Sequence, residues 1–511
     1  MEADRLSQST APAAAFAGLR HKISLILALF AGAALRFWML HKVFEADEDS
    51  HIYGGIARNL ILHGRYAISD GSGALHATLI RLPGYPFFLA LCFRLFGMEN
   101  YFSATIAQIL LDLVGCALLA LVAFRISPVR IKRPSAHATL WLASLCPFTA
   151  VYAAEPLTEG LTFFCIALAL WSAARFLDWP NWPSALAFTF AVTYAALLRP
   201  DGLLVGLVLA PPLCLILLGR KAYEGDLTGG GKAPQENQEI KRHDLRGTAD
   251  AAQESRASAP AIFRTRRSRL RLALVCMLLA ATPFAAWTVR NWRVFHVIQP
   301  LAPRYANDPG EETDPGFQRW VKTWCLDFIS TEQVYWNEPD NPIDVGLLPA
   351  RAFDSPAQYA ETKKLAADYA ANGYQLSPQL DARFDQLARE RIDAHPLRYF
   401  LWMPLGRVAD MWLRPRVENL PIDLDWWVYD HHNAETRFSW FYVALNAFYL
   451  LLGFTGLWLR PRLGLSMLAY FVLRSAMLMT IEAPEARYTL ECFPMLFVLG
   501  GIALGRLFAP R

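Results

Sequence analysis

Charged residues are scarce in this sequence, at 18% of 511 residues, where soluble globular domains carry roughly 25%. Apolar residues reach 54%, and they come in long blocks. The formal net charge of only +4 lacks the strong basic surplus that marks nucleic-acid-binding domains. These deficits argue against a soluble enzyme, a disordered chain and a nucleic-acid partner.

Paired cysteines are missing as well. Seven of the eight cysteines lie in or beside apolar stretches, and Cys325 alone lies in a long polar region. No CxxC pair is present, so the sequence indicates neither a zinc ribbon nor a disulfide framework. The first apolar run, at 23–40, lacks a small-residue cleavage site. We therefore expect a retained transmembrane helix there rather than a cleaved signal peptide.

Long apolar segments dominate the chain, and a bilayer-spanning helix needs about 20 mostly apolar residues. Ten segments qualify as spans: 23–42, 103–125, 137–154, 159–177, 183–199, 203–219, 269–288, 439–459, 464–481 and 490–508. Two weaker segments, 83–97 and 396–413, carry prolines or charges, and we assign both to the membrane interface. The sequence predicts an all-α polytopic membrane protein, with a bundle of about ten transmembrane helices, an interfacial helix in the first outer loop and a small non-cytoplasmic region.

Basic residues predict the orientation of these spans. With the N-terminus inside, the positive-inside rule places the strongly basic segments together in the cytoplasm: 125–133, 220–271, 460–462 and 506–511. The short turn at 178–182 falls on the same side, although it has no basic residue. We expect a multi-pass protein of the inner (plasma) membrane.

Composition divides the chain into five parts. In order, these are an N-terminal transmembrane module at 1–219, a basic flexible cytoplasmic loop at 220–268, a transmembrane helix at 269–289, a non-cytoplasmic region at 290–438 and C-terminal transmembrane helices at 439–511. Within the fourth part, the polar, alanine-rich segments 356–374 and 378–393 are predicted to be helices. This fourth part is long enough for a small folded unit.

An acidic cluster follows the first predicted span. Four carboxylates lie within the five residues 45–49, and Ile52, Ile56 and Leu60 follow at the four-residue spacing of a helix. Asp49 would then lie at the start of that helix, where a carboxylate is a good N-cap. A solvated acidic loop and a set of catalytic carboxylates are both open interpretations.

Several arginines lie beside apolar segments in short motifs. These motifs are Arg81-Leu-Pro-Gly-Tyr85-Pro, Glu155-Pro-Leu-Thr-Glu159, Leu198-Arg199-Pro-Asp201-Gly, Arg290-Asn291 and Glu485-Ala-Arg487-Tyr488. Arginines at helix ends commonly reach for the membrane interface, which is the simpler interpretation of each one taken alone.

Taken in order, these motifs and the acidic cluster resemble the GT-C superfamily of polytopic glycosyltransferases, which use lipid-phosphate sugars. The chain is similar to bacterial dolichyl-phosphate-mannose-type and lipopolysaccharide core-modifying transferases, to lipid A aminoarabinose transferases and to protein O-mannosyltransferases. The resemblance covers most of the chain, weakly at 223–262 and 300–435. It departs at Glu491, where the family's last motif usually has proline.

The resemblance implies transfer of a hexosyl or pentosyl group, with inversion, from a polyprenyl-phosphate donor to an envelope glycan, lipid or protein acceptor. The 1–219 module would be catalytic. Asp49 would be the catalytic base, with Asp47 as the second candidate. The donor-phosphate ligands would be Arg81, Arg199, Arg290 and Arg487. Further substrate contacts would come from Glu48, Tyr53, Tyr85, Glu155 and Tyr488.

Other interpretations concern metals and transport. The carboxylates and histidines at 423–432 lack metal-site spacing and lie beside two tryptophans, which favours interface anchoring. No metal site is predicted, although a divalent cation could assist the phosphate; membrane lipids are the remaining expected partner. A multispan transporter or flippase of a lipid-linked or polar substrate is the alternative function, but no internal repeat is apparent.

Overall fold

The structure, a computed structural model, describes residues 3–218, 265–422 and 433–508, with side chains described from residue 22 onward. The predicted loop at 220–268 therefore lies almost wholly outside the described residues, as does the cluster at 423–432. The N-terminal helices are α1 (Ala3–Val43), α2 (Glu48–His63), α3 (Gly84–Phe96), α4 (Tyr101–Ile126), α5 (Lys132–Ser144), α6 (Pro147–Ala153), α7 (Thr158–Asp178), α8 (Trp182–Leu198) and α9 (Leu203–Leu217).

The later helices are α10 (Arg266–Phe295), α11 (Pro315–Lys322), α12 (Pro356–Ala371), α13 (Pro378–Ala394), α14 (Met403–Leu413), α15 (Asn433–Trp458), α16 (Gly464–Leu478) and α17 (Phe493–Leu507). A 3₁₀ turn at Ala486–Cys492 leads into α17. Strands β1 (Ala67–Ser69) and β2 (Leu75–Ala77) form an antiparallel hairpin in which Ile68 pairs with His76. This hairpin, in the loop between α2 and α3, was not predicted.

The all-α polytopic fold is confirmed. Seven of the described helices are long and apolar enough to cross a membrane, and α3, α8 and α16 are shorter apolar helices. The segment predicted as one span at 137–154 is not one continuous helix, because α5 ends at Ser144 and α6 begins at Pro147. Proline lacks the N–H that a continuous helix needs, so it opens a new helix here.

One end of the bundle is marked by an ion-pair cluster of Arg125, Asp178 and Arg462. Asp178, at the end of α7, lies 3.0 Å from Arg125 and 2.6 Å from Arg462. These contacts bring the last turns of α4 and α7 and the turn between α15 and α16 to one end of the bundle. We refer to this as the Asp178 end.

Close helix packing in the bundle depends on small residues. Gly501 and Gly505 on α17 face α5, where an added Cβ would lie 2.7 Å from the backbone nitrogens of Thr139 and Ser135 respectively. Such a distance is too short for a side chain. The two glycines therefore let the backbones approach, as small residues spaced by four do in membrane helices.

A buried ion pair stabilises the break between α5 and α6. The guanidinium of Arg36 on α1 lies 2.6 Å from Asp112 on α4. It also donates to the carbonyl oxygen of Ser144, at 2.8 Å, and to that of Gly32, at 3.1 Å. Ser144 is the last residue of α5, so the arginine satisfies a carbonyl that the helix end leaves without an intrahelical partner.

The start of α2 differs from the sequence expectation. Asp47, not Asp49, is the N-cap: its Oδ1 accepts from the backbone N–H of Ser50 at 2.8 Å and from the Ser50 hydroxyl at 2.6 Å. Asp49 lies in the first turn of the helix. Its side chain is therefore available for other contacts.

The region after α10 contains a folded unit with its own apolar core. Phe317, Trp320, Trp324 and Phe384 are buried at its centre. Helices α12 and α13 confirm the two helices predicted at 356–374 and 378–393. The weak segment 396–413 contains α14, whose buried Arg407 donates to the Lys322 and Cys325 carbonyl oxygens, both at 3.1 Å.

Labelling of single cysteines will test the predicted orientation. Val129 is 81% exposed near the Asp178 end, and Ala360 is exposed on α12. We expect a membrane-impermeant maleimide to label Ala360→Cys from outside sealed vesicles, and Val129→Cys only after permeabilisation. The unmodified protein controls for its native cysteines, and labelling of both positions from one side would show that the orientation is wrong.

Candidate active site

The opposite end of the bundle gathers charged side chains from six segments. Asp49 lies at its centre, in the first turn of α2. Its Oδ1 is 2.5 Å from the guanidinium of Arg81, in the loop before α3, and its Oδ2 is 3.7 Å from that of Arg487, in the turn before α17. One carboxylate thus faces two cations, which lie on segments about 400 residues apart in the chain. We refer to this end of the bundle as the Asp49 end.

Aromatic side chains orient Arg81. Its guanidinium lies 5.7 Å from the centre of the Tyr53 ring, a cation–π distance. The Tyr53 ring in turn contacts the buried Tyr85 edge-on, with centroids 5.1 Å apart. Tyr85 donates to Gln108 at 3.1 Å. Burial raises the pKa of Tyr53 to about 12, so its phenol stays uncharged at neutral pH.

Arg290 supports this loop rather than joining the central cluster. It donates to the carbonyl oxygens of Tyr66 and Thr78, both at 2.7 Å. Tyr66 donates through its hydroxyl to the carbonyl oxygen of Arg81, at 3.0 Å. Among the contacts of the described residues, none joins Arg290 to Asp49. Arg290, a predicted phosphate ligand, therefore contacts the backbone of the loop that carries Arg81 and does not contact Asp49.

Arg487 holds a different set of partners. Its Nε lies 2.5 Å from Glu485 and 4.0 Å from Glu159, while Nη2 faces Asp49. Its guanidinium also lies 5.8 Å from the ring centre of Tyr488, whose hydroxyl donates to Glu485. The close carboxylate contact uses Nε, which leaves Nη2 to face Asp49 at 3.7 Å.

Arg199 belongs to a second, more enclosed cluster. It lies 2.9 Å from Glu159, 3.0 Å from Glu491 and 3.5 Å from Asp201. Arg474 on α16 pairs with Asp201 and lies 3.1 Å from Glu491. Three carboxylates thus surround the Arg199 guanidinium, while Glu159 connects it to Arg487.

Sequence reasoning missed Arg474 and assigned no role to Glu491. Arg474 is fully buried inside a predicted span. An arginine at that depth is costly without a partner, and this could have indicated its importance. Its partner Asp201 lies 273 residues away in the sequence. Such a pairing is visible only in the folded protein.

Glu155 lies in the turn between α6 and α7, beside a segment that follows α14. Asn419 donates to Glu155 Oε2 at 2.5 Å, and the Tyr152 hydroxyl donates to Asn419 Oδ1 at 3.0 Å. Burial raises the pKa of Glu155 to about 8, opposed by the hydrogen bond from Asn419 and reinforced by the charge of Asp47. Asn419 was not identified from the sequence.

Two predicted contacts lie apart from these clusters. Glu48 is exposed at the start of α2, and no described contact joins it to Asp49 or to the arginines. Asp47 is occupied at Oδ1 by the helix cap. Among the residues that the structure describes, no group of three His, Cys, Asp or Glu side chains is placed to hold a metal ion.

No family model matches the chain, and no curated protein matches it either. Among solved structures, the chain is similar to the archaeal oligosaccharyltransferase AglB from Archaeoglobus fulgidus, in complex with an inhibitory peptide and a dolichol-phosphate. That likeness has 10% identity and a TM-score of 0.48, and it covers 96% of this chain and 51% of AglB. The chain thus spans about half the length of AglB.

The chain is also similar to ArnT from Cupriavidus metallidurans. For ArnT bound to undecaprenyl phosphate, the identity is 16% and the TM-score 0.34, over 94% of this chain and 77% of ArnT. For ArnT in the apo state, the identity is 15% and the TM-score 0.31, over 95% and 77% of the two chains.

Replacement of Arg199 should destabilise the protein more than replacement of Arg487. Arg199→Ala leaves Glu159 with only its 4.0 Å contact to Arg487, and it leaves Asp201 and Glu491 to share Arg474. Removal of one partner of a buried ion pair typically costs about 3–5 kcal/mol. Arg487→Ala removes one close contact, and we expect a smaller loss. Thermal unfolding in lipid nanodiscs measures both variants.

The matched control is Arg58→Ala, which removes a half-exposed pair with Glu99 at 3.2 Å. Exposed pairs contribute about 0–1 kcal/mol. If Arg199→Ala unfolds at the same temperature as this control, the enclosed cluster does not stabilise the fold.

Proposed function

We propose that this protein is an integral-membrane glycosyltransferase. It moves a hexosyl or pentosyl group from a polyprenyl-phosphate donor to a cell-envelope glycan, lipid or protein, with inversion. The observation that carries the proposal is the position of Asp49, whose two carboxylate oxygens face Arg81 and Arg487 at the Asp49 end of the apolar bundle.

In the proposed reaction, Asp49 is the base. Its carboxylate accepts the proton of an acceptor hydroxyl as the hydroxyl oxygen attacks the anomeric carbon of the donor sugar. The bond between that carbon and the phosphate oxygen breaks, and its electron pair leaves with the phosphate. Attack from the face opposite the phosphate inverts the configuration of the sugar.

The leaving phosphate needs cations that are already in place. Arg81 and Arg487 supply guanidinium groups, which match phosphate oxygens in a bidentate geometry. Both contact Asp49 in the free protein, so a donor phosphate would meet them beside the base. Arg199 and Arg290 have their nitrogens engaged by carboxylates and by carbonyl oxygens, and we assign them to positioning rather than to direct contact with phosphate.

The membrane location follows from the donor. A polyprenyl chain reaches its site through the bilayer, while a polar acceptor arrives from water. We place the Asp49 end on the non-cytoplasmic face of the inner (plasma) membrane, and we propose that the 290–438 region binds the acceptor. The domain limits at 219, 268, 289 and 438 belong to this proposal.

Asp49→Asn will test the base directly. The amide keeps the shape and removes the basicity, so transfer should slow by about 100- to 10,000-fold while donor binding is largely kept. Asp47→Asn should have a milder effect, because Asp47 caps α2. Release of polyprenyl phosphate from purified protein in nanodiscs measures turnover.

The reverse pattern, with Asp47→Asn inactive and Asp49→Asn active, would move the catalytic role to Asp47. Near-normal turnover of both variants would contradict the transferase proposal. Movement of intact donor across the bilayer without release of polyprenyl phosphate would support a transporter or flippase instead.

Substitutions at Arg487 and Arg81 will test the phosphate contact. Arg→Lys keeps the charge but loses the planar fork, so each lysine variant should weaken donor use partially. Each alanine variant should weaken it more. The Michaelis constant for the donor and the turnover number measure this, and wild-type values in folded alanine variants would be decisive against the assignment.

A further inference from the structure

A groove on the outside of the bundle is lined by residues of α5, α15 and α17. Its volume is about 490 Å³ and its lining is mostly apolar. The lining includes Pro134, Ala138, Trp141, Leu145, Phe448 and Phe508, of which the last three are exposed. We refer to it as the Trp141 groove. None of the residues assigned to the proposed active site lines it.

The length of the Trp141 groove matches one leaflet of a bilayer. Along α5 its lining extends from Pro134, in the first turn, to Leu145, which directly follows the helix. At about 1.5 Å per residue, this distance is roughly 16 Å. The hydrocarbon core of a bilayer is about 30 Å thick, so the groove extends from the Asp178 end to about the middle of the membrane. That extent suits an acyl chain of a phospholipid.

Two arginines lie where the Trp141 groove reaches the Asp178 end. Arg133 directly precedes Pro134, and Arg506 lies in the last turn of α17, which also lines the groove. The backbones of these two turns are in contact, because a Cβ added to Gly505 would lie 2.7 Å from the backbone nitrogen of Ser135. Both arginines are therefore within one turn of the same helix contact.

The positive charge at this end of the groove is not neutralised. Both arginine side chains are exposed, and no acidic side chain in the described part of the chain forms an ion pair with either. By contrast, Arg125 and Arg462 at the same end of the bundle share Asp178. The N-cap of α5 is Ile131, which supplies no side-chain acceptor, so the partial positive charge of the helix start adds to that of the arginines.

We propose that the Trp141 groove binds one anionic phospholipid, with an acyl chain along Trp141 and the phosphate beside Arg133 and Arg506. The apolar wall alone would accept the chain of any lipid, whereas the two unpaired guanidinium groups select a negatively charged head group. Basic residues beside a crevice between transmembrane helices bind anionic lipids in this way. The site lies at the opposite end of the bundle from Asp49, so it does not depend on the proposed reaction.

Lipid titrations of the full-length protein in detergent, followed by native mass spectrometry, will test the site. The probes are dioleoyl phosphatidylglycerol, which is anionic, and dioleoyl phosphatidylcholine, which has the same chains and no net charge. We expect one phosphatidylglycerol to bind with a dissociation constant about tenfold lower than that of phosphatidylcholine, because two cations near the membrane surface attract the anionic head group.

Two double variants and one filling variant locate the site. Arg133→Gln with Arg506→Gln removes both charges, and it should raise the dissociation constant of phosphatidylglycerol about tenfold, to that of phosphatidylcholine. The matched control, Arg266→Gln with Arg267→Gln, removes two exposed arginines at the start of α10, a helix that does not line the groove, and it should keep the wild-type constants. Ala138→Phe places a ring inside the groove and should weaken binding of both lipids.

Equal affinity of the wild-type protein for the two lipids overturns the proposal. Equal losses in the two double variants overturn it as well, because they would indicate diffuse attraction to the basic surface rather than a site. Dimers that Ala138→Phe disrupts, without any preference between the lipids, would show that a second copy of the chain covers the groove instead. If Ala138→Phe fails to fold, the comparison of the two double variants still decides.

Discussion

Pairing of charges at the Asp49 end is the constraint on which the site depends. Glu159 Oε1 lies 2.9 Å from Arg199 and 4.0 Å from Arg487, so one carboxylate joins the enclosed cluster to the exposed one. Charges removed from water must be paired, because an isolated one is strongly destabilising. The ends of α7 and α8, the turn before α17 and the first turn of α2 therefore have to keep their relative positions. The site is built at helix ends, and the same ion pairs hold those ends together.

A second constraint acts deeper in the bundle. Arg36 and Asp112 are buried between α1 and α4, where charged residues often indicate transport. Here the guanidinium contacts Asp112 and the carbonyl oxygens of Gly32 and Ser144, so fixed partners occupy it. This arrangement fits a structural role better than ion movement. The Arg36 contacts fix the point where α5 ends. Tyr152 of α6 and Glu155, which follows α6, then lie at the Asp49 end.

The sequence was a good guide wherever a property of one segment decides the structure. Apolar length located the helices of the bundle, and alanine-rich polar composition located α12 and α13. The α5–α6 break could have been suspected at Pro147, but the partner that satisfies the freed carbonyl oxygen of Ser144 is Arg36, which donates to it across 108 residues. Local composition holds no information about such a contact.

The candidate site was foreseen in part, for the same reason. The motifs pointed to Asp49, Arg81 and Arg487, which the structure brings together. They pointed equally to Arg290, which lies behind the Arg81 loop, and they gave no indication of Arg474 or Asn419. The cap of α2 is Asp47 rather than Asp49, and Ser50 in the same turn contacts the carbonyl oxygen of Pro156, 106 residues away. Which residue of a motif faces the site is decided by such tertiary contacts.

The carboxylates of the Asp49 end differ in solvent exposure, and this difference decides which of them can act as a base. The Asp49 side chain is 29% exposed, against 5% for Glu159 and 4% for Glu491. A water-borne hydroxyl can reach the first but not the other two, and the other two are needed to neutralise Arg199. The base of the proposed reaction is therefore the carboxylate that the buried network leaves at the surface.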